Sequence, residues 1–441
     1  MRSRPERFFP RISADELGAQ LPALREKLFN SGTLTLEPNS NGIYAASASQ
    51  EPDSTSGYQN AWLRDNVMVA FSRWECGEPE SALKTVRGLT RFLQTQAPKM
   101  EAVIAKPSKK EGTHGRPHVR FDARTLSEIP QTWAHAQNDA LGYVAWSRFL
   151  LANEISKGAD FDLSQEERDL YRLFPRYFNA IEFWKDRDSG TWEEARKLNS
   201  SSVGAVVAAL IEIERYVRRR NRVSGFDRRE LERLIDLGQQ TLEKQLPFES
   251  PPDRRIDAAL LFLIYPLRVI KQKETARLIV SMVRARLEGS FGIRRYIGDS
   301  YYCQDYDQWF PPEVRSADFS NRIDIRDEFL QPGHEAQWCI FDSLLSVIYS
   351  DFYFQNSNDA LNFQLYHFNR AIGQITSEGR CPELYYMKLG QYVQNEHTPL
   401  AWSQANLAIA LHRLELTARG QNAVRVNDLD DRTVVRRGDV D

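Results

Sequence analysis

Residues 190–217 read GTWEEARKLNSSSVGAVVAALIEIERYV, and the spacing within this stretch decides the fold class. Val203, Val206, Val207, Leu210, Ile213 and Val217 recur at intervals of three and four behind the cap-like run Asn199 to Ser202, which places them on one face of a helix. Such a face has to be buried against other elements. Outward from it, comparable patterns predict helices near 14–31, 61–75, 79–95, 135–154, 164–186, 228–244, 256–271, 273–288, 334–351, 355–373 and 398–416. With the first, these make about twelve helices. Strand-like alternation is scarce and no repeat of the solenoid kind is present, so an all-α chain closing into one globular body is expected.

Three connections are long and rich in aromatic or polar residues: 96–134, 290–332 and 374–397. Loops of that length in a compact helical protein are more often functional than accidental. Hydrophobic residues make up 41% of the 441-residue chain, charged residues 27%, and the formal net charge is -2. That balance exerts no general pull toward polyanions, so nucleic acid is not the expected partner. Lys109-Lys110 and Arg218 to Arg220 read as a polar loop and a helix end rather than as binding patches. The amino terminus has no apolar run behind its basic residues, and no segment reaches the ~20 apolar residues of a membrane span, which points to a cytoplasmic protein. Cys76, Cys303, Cys339 and Cys381 are scattered without metal-ligand or disulfide-framework spacing. Buried free thiols, with no metal and no cofactor, are expected. Residues 419–441 are charged and poor in core formers, and read as a surface tail.

Five stretches combine aromatic residues with acids, amides or arginines, the side chains that stack on and hydrogen-bond to sugar rings. The first is Gly42 to Ser47 with Tyr58-Gln59-Asn60-Ala61-Trp62-Leu63-Arg64-Asp65. Taken alone, Arg64-Asp65 entering a helix reads equally as a surface ion pair. The second, Trp133 to Asp139, ends in residues that also suit a helix cap. In the third, Trp192-Glu193-Glu194, the acids either favour the positive end of the following helix or include a carboxyl whose pKa an apolar neighbour raises. The fourth is Arg295 to Tyr302, and the fifth is Pro382-Glu383-Leu384-Tyr385-Tyr386 ahead of Trp402-Ser403-Gln404.

In order and spacing, from about residue 40 to residue 415, the five stretches resemble glycoside hydrolase family 15, the glucoamylases, and the related amino-terminal domains of phosphorylase kinase alpha and beta subunits. The resemblance implies an (α/α)6 barrel, a six-hairpin toroid, with residues 1–418 as one catalytic domain, 1–40 its amino-terminal helix and lead-in, and 419–441 the tail. It implies that Glu193 is the general acid and Glu383 the general base. Tyr58 would lie near the attacking water. Trp62, Arg64, Asp65, Trp133, Asp139, Trp192, Glu194, Arg295 and Tyr296 would contact the sugar. Ala134-His135-Ala136 departs from the Gly-Arg-Pro usual in the tryptophan loop, while Leu384-Tyr385-Tyr386 and the Leu198 to Ser202 run are closer to the phosphorylase kinase branch.

Such a pair of acids hydrolyses an α-glucoside with inversion when one carboxyl protonates the leaving oxygen and the other activates water, the two being ~6.5–9.5 Å apart. The implied activity is exo-acting release of glucose from non-reducing ends of an α-glucan or gluco-oligosaccharide. The alternatives are a catalytically silent glucan-binding or regulatory module, and a hydrolase of trehalose or isomaltose type. A terpene-cyclase-like or farnesyltransferase-like toroid lacks support, as there is no DDxxD run or zinc-ligand cluster.

Overall fold

Two kinds of helix build the protein. α4 (Asn138–Glu154) buries sixteen of its seventeen residues, polar ones included, whereas α8 (Arg228–Gln245) buries only Leu231, Leu234, Gly238 and Leu242 along one stripe. A helix apolar on every side belongs in an interior, and one with a single stripe belongs on a surface. The computed structural model describes residues 9–47, 57–111, 115–154, 161–220, 223–353 and 359–421, and sorts its helices accordingly. An inner ring is formed by α2 (Leu63–Glu75), α4, α7 (Ser200–Arg219), α9 (Leu261–Ile264), α13 (Ile340–Tyr353) and α15 (Ala401–Ala418). Each packs on the next in that order, and α15 closes back onto α2. Around them lie α1 (Leu17–Asn30) on α15, α3 (Pro79–Ala105) on α2, α6 (Leu173–Ile181) between α3 and α8, α8 on α7, α10 (Lys273–Leu287) on α9 and α14 (Ala360–Ile372) on α13. Six inner and six outer helices make the (α/α)6 barrel.

The closest inner pair is α4 with α7. A Cβ at Gly142 would lie 2.7 Å from the backbone of Ala205, so only glycine permits this approach. The remaining helices among the described residues, α5 (Gln165–Tyr171), α11 (Tyr306–Trp309) and α12 (Ile323–Asp327), are short connectors.

Several boundaries differ from expectation. The helix expected over 164–186 is two, because Pro175 has no N–H for the Tyr171 carbonyl, and Glu182 ends the second with φ 56°. The one expected over 256–271 shrinks to a 3-10 turn at Ala258–Leu260 and α9, since Pro266 and Arg268, at φ 53°, stop it. α3 runs on through Pro98 to Ala105, into the stretch expected to be loop. Strand also occurs within the connections. β1 (Ala61–Trp62) pairs with β2 (Arg120–Phe121), and β3 (Gln337–Trp338) joins the hairpin of β4 (Leu384–Lys388) and β5 (Gln391–Gln394). That hairpin turns on Leu389 and Gly390, both at positive φ, as a tight two-residue hairpin loop requires.

Cys303, Cys339 and Cys381 are buried free thiols, whereas Cys76 is only half-buried. No helix among the described residues is long and apolar enough to cross a membrane. The charged tail expected from residue 419 lies, from 422 on, outside the described residues, as do residues 1–8 of the lead-in.

Candidate active site

Inner helices begin at one end of the barrel, and there a pocket of about 790 Å³, mouth included, opens to solvent. Arg64 and Asp65 reach it from the first turn of α2, Trp192 and Glu193 from the turn before α7, Trp338 from β3 just before α13, and Leu400 and Trp402 from the start of α15. The loop before α4 adds Trp133. Helix amino termini carry partial positive charge, so this end of the ring favours carboxylates and oxygen-rich ligands.

Glu193 owes its place to a strained turn. Gly190 has φ 59°, Glu193 itself has φ 59°, and the Glu193 and Glu194 amides donate back to the Gly190 and Ser189 carbonyls at 3.2 and 3.1 Å. A Cβ on Gly190 would lie 2.6 Å from the Asn199 side chain, so the turn requires glycine there. Left-handed backbone is costly for glutamate and is kept where surrounding structure enforces it. The Glu193 side chain, 19% exposed, receives the Trp62 indole N–H at 3.3 Å and has Arg64 Nη1 at 3.8 Å. Burial pushes its carboxyl pKa up, against the opposing pull of Arg64. A carboxyl shifted in that direction suits the role of proton donor.

Glu383 is held differently. Its Oε1 accepts from the Tyr58 hydroxyl at 2.8 Å, and its Oε2 accepts from Asn395 and from His397 Nδ1, the latter at 2.8 Å. The His397 ring stacks on Tyr58 with centroids 3.5 Å apart, and the Tyr58 hydroxyl lies 3.2 Å from that of Tyr301. Three donors thus fix one carboxylate, which lines the same pocket as Glu193. Asp65 and Asp318 are the other two carboxyls of the lining, and Asp65 lies among charged neighbours. Burial first, and then Glu193 and Glu383, push the Asp65 carboxyl up to about 7 against the effect of Arg64.

Other expected contacts stand behind the wall. Asp139 is fully buried and accepts from Arg64 Nε at 2.9 Å, while Gln137 accepts from Arg64 Nη2 at 2.8 Å, so both aim Arg64 at the pocket. Glu194 accepts from Arg254 at 2.8 Å, Arg295 at 3.0 Å, the Tyr296 hydroxyl at 2.6 Å, and Arg326. Burial alone would raise its pKa, but the three guanidinium groups hold it well below the usual carboxylate range. Glu194, Tyr296 and Asp139 do not line the pocket, although Arg295, anchored on Asp299 by two bonds of 2.6 Å, does. Trp133 lines it with Arg120 stacked 4.1 Å from its ring centroid, the same guanidinium lying 4.9 Å from Trp62.

Arg120, Arg326, Trp338, Tyr301, Asn395 and His397 did not emerge as site residues from sequence. His397 follows the hairpin whose alternation, LYYMK then QYVQ, was the available signal. Arg326 and Arg120 lie within the long connections, on the short elements α12 and β2, with no local sequence pattern around them. The indole N–H groups of Trp133, Trp338 and Trp402 make no hydrogen bond among the described residues, which leaves three buried donors around the pocket.

A glycosidase solved in complex with glucose superimposes with TM-score 0.65 at 17% identity, over 92% of this chain and 99% of that one. A bacterial glucoamylase complexed with acarbose superimposes with TM-score 0.61 at 13% identity, over 96% of this chain and 60% of that one. Among curated proteins, the regulatory alpha subunit of phosphorylase b kinase, skeletal muscle isoform, of Oryctolagus cuniculus is 23% identical over 379 residues, which is 77% of this chain. The match spans 28% of that subunit's length. The sequence signature of Glycosyl hydrolases family 15 runs through residues 23–309, from within α1 past the Glu193 turn and Arg295 to the end of α11, and on that match the chain belongs to family 15.

Proposed function

We propose that the protein is an inverting, exo-acting α-glucoside hydrolase that releases glucose from non-reducing ends of α-glucans or gluco-oligosaccharides. The observation that carries this reading is the pairing of two carboxyls of opposite environment in one pocket: Glu193, raised by burial, and Glu383, clamped as an acceptor by Tyr58, Asn395 and His397. Glu193 donates its proton to the glycosidic oxygen as the bond to the anomeric carbon breaks. Glu383 takes a proton from water as that water attacks the opposite face, so the products are a β-configured sugar and the shortened glucan. Arg64 and Asp65 bind hydroxyls of the terminal ring, and Trp133 and Trp402 wall the pocket. The solved neighbours in complex with glucose and with acarbose support a carbohydrate ligand for this fold.

The kinship with a kinase regulatory subunit favours one other reading, a glucan-binding module without turnover. Incubation with maltose, maltooligosaccharides, isomaltose and trehalose separates the two. Hydrolysis of at least one, abolished by Glu193→Gln with the circular dichroism unchanged, is expected. Saturable binding of maltooligosaccharides with no glucose release from any of the four would establish the binding reading instead.

A further inference from the structure

On the far side of Glu194 from the substrate pocket lies a second one, of about 1000 Å³ including its opening, which the hydrolytic reading does not use. Its wall contains four cations. Arg254 is committed, donating to Glu194 at 2.8 Å and to Asp257 at 3.3 Å while covering the Tyr296 ring at 3.5 Å. The other three are not. The Lys197 ammonium makes one hydrogen bond among the described residues, to the Ala195 carbonyl at 3.5 Å, and the side chains of Arg255 and Arg286 make neither hydrogen bond nor ion pair there.

The carboxylates lining this pocket do not cancel that charge. Glu194 is already shared among three arginines, which leaves two exposed carboxylates, Asp253 and Asp327, against half-buried Lys197 and the likewise exposed Arg255 and Arg286. Lys197 is half-buried, and burial together with Arg254 holds its ammonium below its ordinary value, a setting that an anion relieves. Between the cations the wall is apolar, with Ile256, Ile323 and Ile297, the last 54% exposed.

From this arrangement we propose that the second pocket binds a small phosphate ester, its phosphoryl oxygens held by Lys197, Arg255 and Arg286 and its carbon skeleton lying on Ile297 and Ile323. Guanidinium forks and an ammonium match phosphate geometry and charge. The exposed acids Asp253 and Asp327 disfavour a long polyanion such as nucleic acid, whose backbone would pass them.

Isothermal titration of the full chain at fixed ionic strength, with inorganic phosphate, glucose 6-phosphate and glucose, tests the proposal. Expected are one saturable site for glucose 6-phosphate, tighter than for inorganic phosphate, and about tenfold weakening by Lys197→Met and by Arg286→Gln, as for loss of one charge-assisted hydrogen bond. Asp65→Asn, which alters the substrate pocket, should leave that affinity unchanged, and circular dichroism verifies the fold of each variant. Absence of saturable binding by either phosphate compound overturns the site, as does equal affinity in Lys197→Met and Arg286→Gln. Loss of binding in Asp65→Asn would put the anion in the substrate pocket instead. Inorganic phosphate binding as tightly as the ester would overturn the assignment to an ester.

Discussion

Replacing His397 by leucine removes one donor from Glu383 while keeping a buried side chain of similar bulk. His397 Nδ1 lies 2.8 Å from Oε2, both groups are almost wholly buried, and the bond is made to an acceptor carboxylate. A hydrogen bond to a charged group contributes about 1.5–3 kcal/mol. At about 1.4 kcal/mol per tenfold in rate, that corresponds to a loss of roughly 10- to 150-fold in kcat/KM if the bond holds the carboxylate in line with water. Tyr58 and Asn395 still hold Glu383 in the variant, so the loss should stay below that of Glu383→Gln. His397→Asn, whose amide nitrogen can occupy the Nδ1 position, should recover most of the activity. Because His397 touches the base and not the sugar, the fall belongs in kcat with little change in KM. The assay is initial-rate kinetics on a maltooligosaccharide with thermal melts as a fold check. His397→Leu within twofold of the parent, or His397→Asn as poor as His397→Leu, would refute the reasoning.

The acid and its support make two further predictions. Trp62 donates to the ionised form of Glu193 and so holds its pKa down; Trp62→Phe removes that donor and the pKa rises further. Since the acid works protonated, the basic limb of the kcat/KM profile should move to higher pH, and an unmoved or lowered limb would count against Glu193 as the acid. Arg64→Met strips the partner from Asp139, with side-chain exposures of 3% and 0% for the pair. The cost should be about 3–5 kcal/mol, read as a clear drop in Tm, with Arg64→Met/Asp139→Leu recovering part of it. Equal melting of Arg64→Met and parent would contradict that cost.

The outer helices were legible because a single apolar stripe on a polar helix repeats every three to four residues, as Leu231, Leu234 and Leu242 do in α8. The inner-ring helices α2, α4, α7, α13 and α15 were legible as well; α9 lost its length to Pro266, which the period alone does not weigh. Pocket-lining residues grouped in short motifs, such as Trp192-Glu193 and Arg64-Asp65, were legible, since a motif keeps its members adjacent in sequence. Arg326 on α12, Arg120 on β2 and His397 in a loop all enter from connections whose course depends on tertiary packing. What sequence could not separate was lining from support: Glu194 is adjacent to Glu193 but points the other way, because the left-handed backbone at Glu193 turns the chain between them.

The central claim is that Glu193 and Glu383 act on opposite faces of a terminal α-glucosyl unit. Proton NMR of the first minutes of maltooligosaccharide hydrolysis reads the outcome before mutarotation blurs it. The account predicts β-glucose as the first product, absent in both Glu193→Gln and Glu383→Gln. Initial release of α-glucose, or β-glucose release that survives Glu383→Gln, would contradict it.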